Sequence, residues 1–210
     1  MLIIKIISGL LLVLICQLAV AGAYEDMMDA VKRDQVSAVG GLLKRGFDVN
    51  TTDKEGNTLL MIAAKEGSAG AMNQLLAAQP RIDARNLYGE TALMLAAIQG
   101  NLDIVRNLLL HHAETNTPGW TPLMYAAANG NLDIARLLIS YGAQVNAAAE
   151  NGFTALMMAA REGHAPVVSL LLANGADAGL QSASGATAAS IAQEKKFPQI
   201  VEIIAKRAMR

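Results

Sequence analysis

Four times along the chain a threonine opens an almost unbroken apolar run that closes on an Ala-Ala pair. The copies are Thr58-Leu-Leu-Met-Ile-Ala-Ala, Thr91-Ala-Leu-Met-Leu-Ala-Ala, Thr121-Pro-Leu-Met-Tyr-Ala-Ala and Thr154-Ala-Leu-Met-Met-Ala-Ala. A glycine turn follows each run, and a second helix begins beyond it. Asn101-Leu102-Asp103 opens one such helix, which runs into Leu108-Leu109-Leu110. With the weaker Thr187 copy included, the threonines are spaced 33, 30, 33 and 33 residues apart. Stepping back 33 residues from Thr58 reaches Glu25, the start of a degenerate first copy, Glu25-Asp-Met-Met-Asp-Ala-Val. A fixed period of this length means stacked repeats. Threonine at a helix start caps an orphan backbone N–H. Each helix is too short to hold in water alone, and each copy carries an apolar face that only a neighbour can cover.

These residues resemble the ankyrin repeat. Its signature, Thr-Pro-Leu-His-x-Ala-Ala-x-x-Gly followed by a second helix and Gly-Ala-Asp-x-Asn, is met at Thr121-Pro122-Leu123, Ala126-Ala127 and Gly130. It is met again at Gly142-Ala143, Asn146 and Gly175-Ala176-Asp177. The resemblance covers residues from about 25 to 210. It implies an all-α ankyrin-repeat solenoid of helix-turn-helix pairs and β-turn fingers, with about six units including caps. The divisions are an N-terminal capping repeat at 24–57, repeats at 58–90, 91–120, 121–153 and 154–186, and a C-terminal capping repeat at 187–210. One departure is systematic. The family histidine is replaced by Met28, Met61, Met94, Met124 and Met157. Soft packing is expected to replace a local polar tether there.

In chain order, residues 1–23 read as a secretion signal, with Lys5, an apolar centre from Ile6 to Ile15, and a small-x-small site that places the cut after Ala23. An uncleaved anchor is one alternative, because the apolar stretch is nearly long enough to span a bilayer, and a lipoprotein cut before Cys16, against which the large Ile15 counts, is another. In the first repeat, Gly40-Gly41 falls inside the second helix. These positions should face outward and leave that helix the least rigid. The other second helices are expected at Ser68–Ala77, Asn101–His111, Asn131–Ser140 and Ala165–Ala173, with Asn101 and Asn131 as caps. The third finger is short. Asn116 lies five residues before Thr121, whereas Asn50 and Asn146 lie eight before theirs. What remains, Asn116-Thr117-Pro118-Gly119, suits a tight turn. It is either a tolerated deletion or a step that fits a partner. Lys195, Lys196, Lys206 and Arg207 give the last repeat a wet outer face, as a terminal cap needs.

Composition narrows the function. The net charge is −1, and removal of the leader, which holds Lys5 and no acid, leaves −2. No basic stripe is present to neutralise phosphates, so nucleic acid is not an expected partner, nor is a membrane once the leader is cut. The single cysteine, Cys16, lies in the leader. The mature chain therefore has no disulfide framework or cysteine metal site. His111, His112 and His164 lack metal-ligand spacing and fit structural roles at helix ends and turns. No phosphate loop, nucleophile elbow or paired catalytic carboxylates occur. The expectation is a chain with no catalytic residues, cofactor or metal.

Ankyrin arrays bind proteins along finger tips and first-helix surfaces. The resemblance carries that role onto Arg85, Tyr88, Glu90, Gln99, Trp120, Asn129, Glu150, Phe153, Arg161 and Glu162, with Lys54, Glu55 and Asn151 at further finger positions. Aromatics are 4% of the chain, so Trp120 and Phe153, on the same register in adjacent copies, stand out. Their rings either form one patch or cover the ends of the finger stack. Tyr125, inside a first helix, reads as core. Together these point to an exported bacterial ankyrin protein, monomeric when free, that binds and regulates a folded envelope enzyme. By the family resemblance alone, peptidoglycan-processing and antioxidant enzymes are the first candidates. A secreted effector acting on a host protein and a membrane-tethered scaffold are the alternatives.

Overall fold

A computed structural model describes residues 22–208. The expected leader lies outside them except for Gly22 and Ala23, which are helical. Twelve helices are formed among the described residues. They are α1 (residues 22–32), α2 (Val36–Lys44), α3 (Leu59–Glu66), α4 (Ala69–Ala77), α5 (Ala92–Gln99) and α6 (Leu102–Leu110), followed by α7 (Pro122–Ala128), α8 (Leu132–Ser140), α9 (Ala155–Glu162), α10 (Ala165–Ala173), α11 (Ala188–Glu194) and α12 (Pro198–Ala208). The expected second helices are all present, with ends moved by a residue or so.

Each threonine starts its helix as the pattern demands. Thr58, Thr91, Thr121 and Thr154 adopt extended backbone, and each Oγ1 accepts from the N–H three residues on, at 3.2–3.3 Å. The methionine at that third position does more than pack. Met61 Sδ accepts the Thr58 N–H, and Met94 Sδ the Thr91 N–H, both at 3.4 Å. In these two copies sulfur closes a reciprocal cap, so a weak polar tie survives where packing alone was expected.

The chain forms two compact units, one up to Arg81 and one from Ile82 onward. In the first, α4 packs on α2 and α3. Asp34 reaches the start of α4, where its Oδ1 accepts from the Ala71 N–H at 2.6 Å. Helix α2 runs unbroken through Gly40 and Gly41. Only Gly41 faces open space, because a Cβ on Gly40 would meet Gln74 Oε1 of α4 at 2.8 Å. The expectation that both glycines point outward is corrected to that extent.

In the second unit the first helices α5, α7, α9 and α11 pack in sequence, and each contacts its own second helix, α6, α8, α10 or α12. The second helices form the other layer, α6 on α8, α8 on α10 and α10 on α12. Helices α5, α7 and α9 are covered nearly all round, which is why they read as almost wholly apolar, whereas α11 of the last repeat leaves Ser190, Gln193 and Glu194 exposed. Ala92 to Ala97 and Ala155 to Ala160 are each buried without a break. Side-chain bonds link the repeats. His164 Nε2 contacts Ala128 O at 3.0 Å, and Asn131 Nδ2 donates to Ala97 O at 2.8 Å. The fit is close. Gly130 takes φ +70°, and a Cβ there would lie 2.6 Å from His164 Nδ1. Asn131 was expected to cap its own helix. It makes no side-chain cap bond and serves the preceding repeat instead.

Candidate functional site

Three fingers of the second unit line a cleft against the first-helix layer. In the finger 86–90 one side chain makes three bonds. Asn86 Oδ1 accepts from the N–H groups of Tyr88, at 3.0 Å, and Glu90, at 2.9 Å, while its Nδ2 donates to Glu90 Oε2 at 2.9 Å. Arg85 Nη1 donates to Gly89 O at 3.3 Å. This pinned loop presents Leu87 and Tyr88 to solvent, 78% and 74% exposed. An asparagine side chain that mimics a backbone turn is how so short a loop keeps its shape. The shortened finger is held differently. Thr117 Oγ1 donates to Trp120 O at 3.0 Å, and Gly119 takes φ +79°, the sign that a type II turn needs after proline.

The cleft has a volume of about 370 Å³. Its lining is Arg85, Tyr88, Gly89, Met94, Pro118, Gly119, Trp120, Tyr125, Glu150 and Asn151. Trp120 and Tyr125 are both half-buried and lean on each other, with ring centroids 5.3 Å apart and planes at 34°. Burial first, and then the negative charge of Glu90, push the Tyr125 phenol above its ordinary value.

Among the residues predicted from sequence, the structure gathers Arg85, Tyr88, Trp120 and Glu150 around this cleft. Glu90 is tied into the finger just behind it. The others stand elsewhere. Phe153 does not join Trp120 in a ring pair. Its partner is Arg161, whose Cζ lies 5.8 Å from the ring centroid, and Arg161 Nε donates to Glu162 Oε1 at 2.7 Å. Asn129 ends α7 and donates its Nδ2 to Tyr125 O at 3.0 Å. Gln99 is exposed at the end of α5. Tyr125 is the residue that the sequence reading missed. It sits inside the otherwise apolar run of α7, which reads as core. The signal was its place in that run, where the other copies have Ile62, Leu95 and Met158.

The first unit carries a different depression, lined by Tyr24, Glu25, Asp26, Asp29, Lys32, Lys54 and Glu55 over Met28 and Ile62. It is mostly charged and holds one aromatic ring. Among the described residues no group of three or more His, Cys, Asp or Glu is placed to hold a metal ion, and no helix is long and apolar enough to cross a membrane.

The stacked pairs, threonine caps and fingers have a counterpart among known families. The model described as Ankyrin repeats (3 copies) matches residues 27–118, 107–182 and 142–209. The chain belongs to the ankyrin-repeat family. Ankyrin repeats are protein-protein interaction modules, and the proteins built from them are generally non-enzymatic. Comparison with curated proteins gives no match. The aromatic cleft lies where the fingers of this chain meet its first-helix layer.

Proposed function

We propose that this ankyrin chain is an exported bacterial protein, monomeric when free, that grips a folded protein through the cleft around Trp120 and thereby regulates it. The observation that supports the reading is the cleft itself. Tyr88, Trp120 and Tyr125 converge there from two fingers and a first helix, and large aromatics contribute most of the binding energy at protein interfaces. The matching positions before the other threonines hold Asn57, Glu90, Phe153 and Ala186, so a ring there is not a fixed part of the repeat. Export rests on the leader pattern of residues 1–23, and an envelope enzyme is the partner class that the family resemblance suggests. Peptidoglycan-processing and antioxidant enzymes are the first candidates for inhibition, protection or stabilisation. Arg85, Glu90 and Glu150 would supply polar contacts at the rim. Gln99, Asn129, Phe153, Arg161 and Glu162 extend the same edge along the helix ends.

The test is a mild crosslink and pulldown from the native compartment. It compares the natural protein with Trp120→Ala and with the Trp120→Ala/Phe153→Ala double variant. Trp120→Ala should keep the thermal midpoint within a few degrees and weaken the captured complex by about 2 kcal/mol or more, about thirtyfold in Kd. Unchanged capture by the double variant would remove this cleft from the binding site. Intact mass decides export separately. A chain beginning at Tyr24 fits the exported form, whereas one beginning at Met1 assigns the protein to a membrane-tethered scaffold.

A further inference from the structure

The two repeats opened by Thr121 and Thr154 are offset by 33 residues, so their positions compare one to one. In the later repeat the protein places its own guanidinium on an aromatic ring. Arg161 lies over Phe153 with Cζ 5.8 Å from the centroid, while its Nε donates to Glu162 at 2.7 Å. In the earlier repeat the ring is present and the cation is not. Trp120 matches Phe153, but Ala128 stands where Arg161 would be, and Asn129 stands where Glu162 would be. Asn129 is turned to the backbone, bonded to Tyr125 O at 3.0 Å.

What surrounds Trp120 instead is suited to a cation from outside. Tyr125 leans against it at 5.3 Å, and the exposed Tyr88 lines the same cleft. The carboxylate of Glu150 lies on the rim, exposed and outside every ion pair among the described residues. Glu90 adds negative charge, felt at the Tyr125 phenol. The one lining cation, Arg85, directs Nη1 to its own finger at Gly89 O. Ring faces attract cations, and a planar guanidinium both stacks on a ring and offers paired donors to a carboxylate.

We propose that the cleft takes an arginine side chain of the partner protein, stacked on the Trp120–Tyr125 ring pair and hydrogen-bonded to Glu150. The proposal rests on the cleft being the binding site and adds which residue of the partner enters it.

Trp120 is the only tryptophan in the chain, so its fluorescence reports on this cleft alone. The probes are capped Gly-Arg-Gly, Gly-Glu-Gly and Gly-Leu-Gly peptides, titrated into the purified protein. The arginine peptide should give a saturable change, and the other two should give none. Glu150→Gln, at an exposed site, should weaken the arginine peptide by about threefold or more. Added salt should weaken it too. Ala128→Arg, which supplies from within the cation that Arg161 supplies to Phe153, should abolish the change. An equal response to the glutamate or leucine peptide overturns the proposal, as does a Glu150→Gln variant that binds the arginine peptide as well as the natural protein. The two readings fail separately. If Trp120→Ala loses the partner in the pulldown while the arginine peptide gives no response, the cleft stands as the binding site and the arginine assignment falls. If Trp120→Ala captures the partner as well as the natural protein does, the wider reading falls, and the arginine assignment with it.

Discussion

At the scale of single residues, capping and one phenol make the clearest claims. Thr154 Oγ1 is the acceptor for the Met157 N–H at 3.3 Å, inside a helix start that water does not reach. Thr154→Ala should therefore cost about 0.5–2 kcal/mol in urea denaturation. Tyr125 makes a claim about pH. Its folded pKa lies above the ordinary 10.0, through burial and through Glu90. The folded state holds that proton longer than the unfolded chain does. Its contribution to stability is thus constant below about pH 9 and declines as pH rises through 10 toward the folded value. Denaturation midpoints measured up the alkaline range should fall less steeply in Tyr125→Phe than in the natural protein. An identical slope would show that another group carries the loss. Threonine caps were legible from sequence because they depend on neighbours three residues away. The place of Tyr125 was not, because burial of one face of α7 depends on what lies across the cleft.

At the scale of elements, two glycines in neighbouring helices should respond with opposite signs. Gly41 lies within α2, and a Cβ added there meets nothing within 4 Å. Gly41→Ala should stabilise the first unit by about 0.5–1 kcal/mol, since alanine costs less to order in a helix. Gly70 lies within α4, and a Cβ there would sit 2.5 Å from Val36 Cγ2 and 3.1 Å from Asp34 Oδ1. Gly70→Ala should destabilise by about 1–3 kcal/mol, because the branched valine and the Asp34 bond to Ala71 both resist displacement. Thermal unfolding of the two variants checks both signs. The unsubstituted α2 should also exchange its amides faster than α5 or α7. From sequence the two positions look alike, each a glycine inside a short helix. Only the packing of α2 against α4 separates them.

At the scale of the molecule, charge and composition predict how the chain behaves when free. A net charge of −1 means little self-repulsion, and the single cysteine, at position 16, has no partner in the chain for an internal disulfide. Sedimentation of the purified protein should give the mass of one chain, and reductant should leave the denaturation midpoint unchanged. A dimer would bury the exposed Leu87 and Tyr88 against a second copy and would compete with the proposed partner for the same finger. The helix layers hold most of the buried apolar core, and neighbouring fingers are tied to one another, as where the Ala183 N–H donates to Asn151 O at 2.9 Å.

The sequence by itself determined the period, the start of each helix, the apolar face of each pair and hence the all-α ankyrin stack. These follow from contacts three to four residues apart and from a pattern repeated often enough to leave one way of covering it. Tertiary structure decided which of the predicted surface residues meet. It set Phe153 under Arg161 rather than beside Trp120 and turned Asn131 from its own helix to Ala97. It also drew Tyr125 out of the core to the wall of the cleft. Those outcomes depend on which side chain reaches across to a neighbouring turn or repeat. A linear pattern fixes the register of such contacts but not the direction in which each side chain is finally drawn.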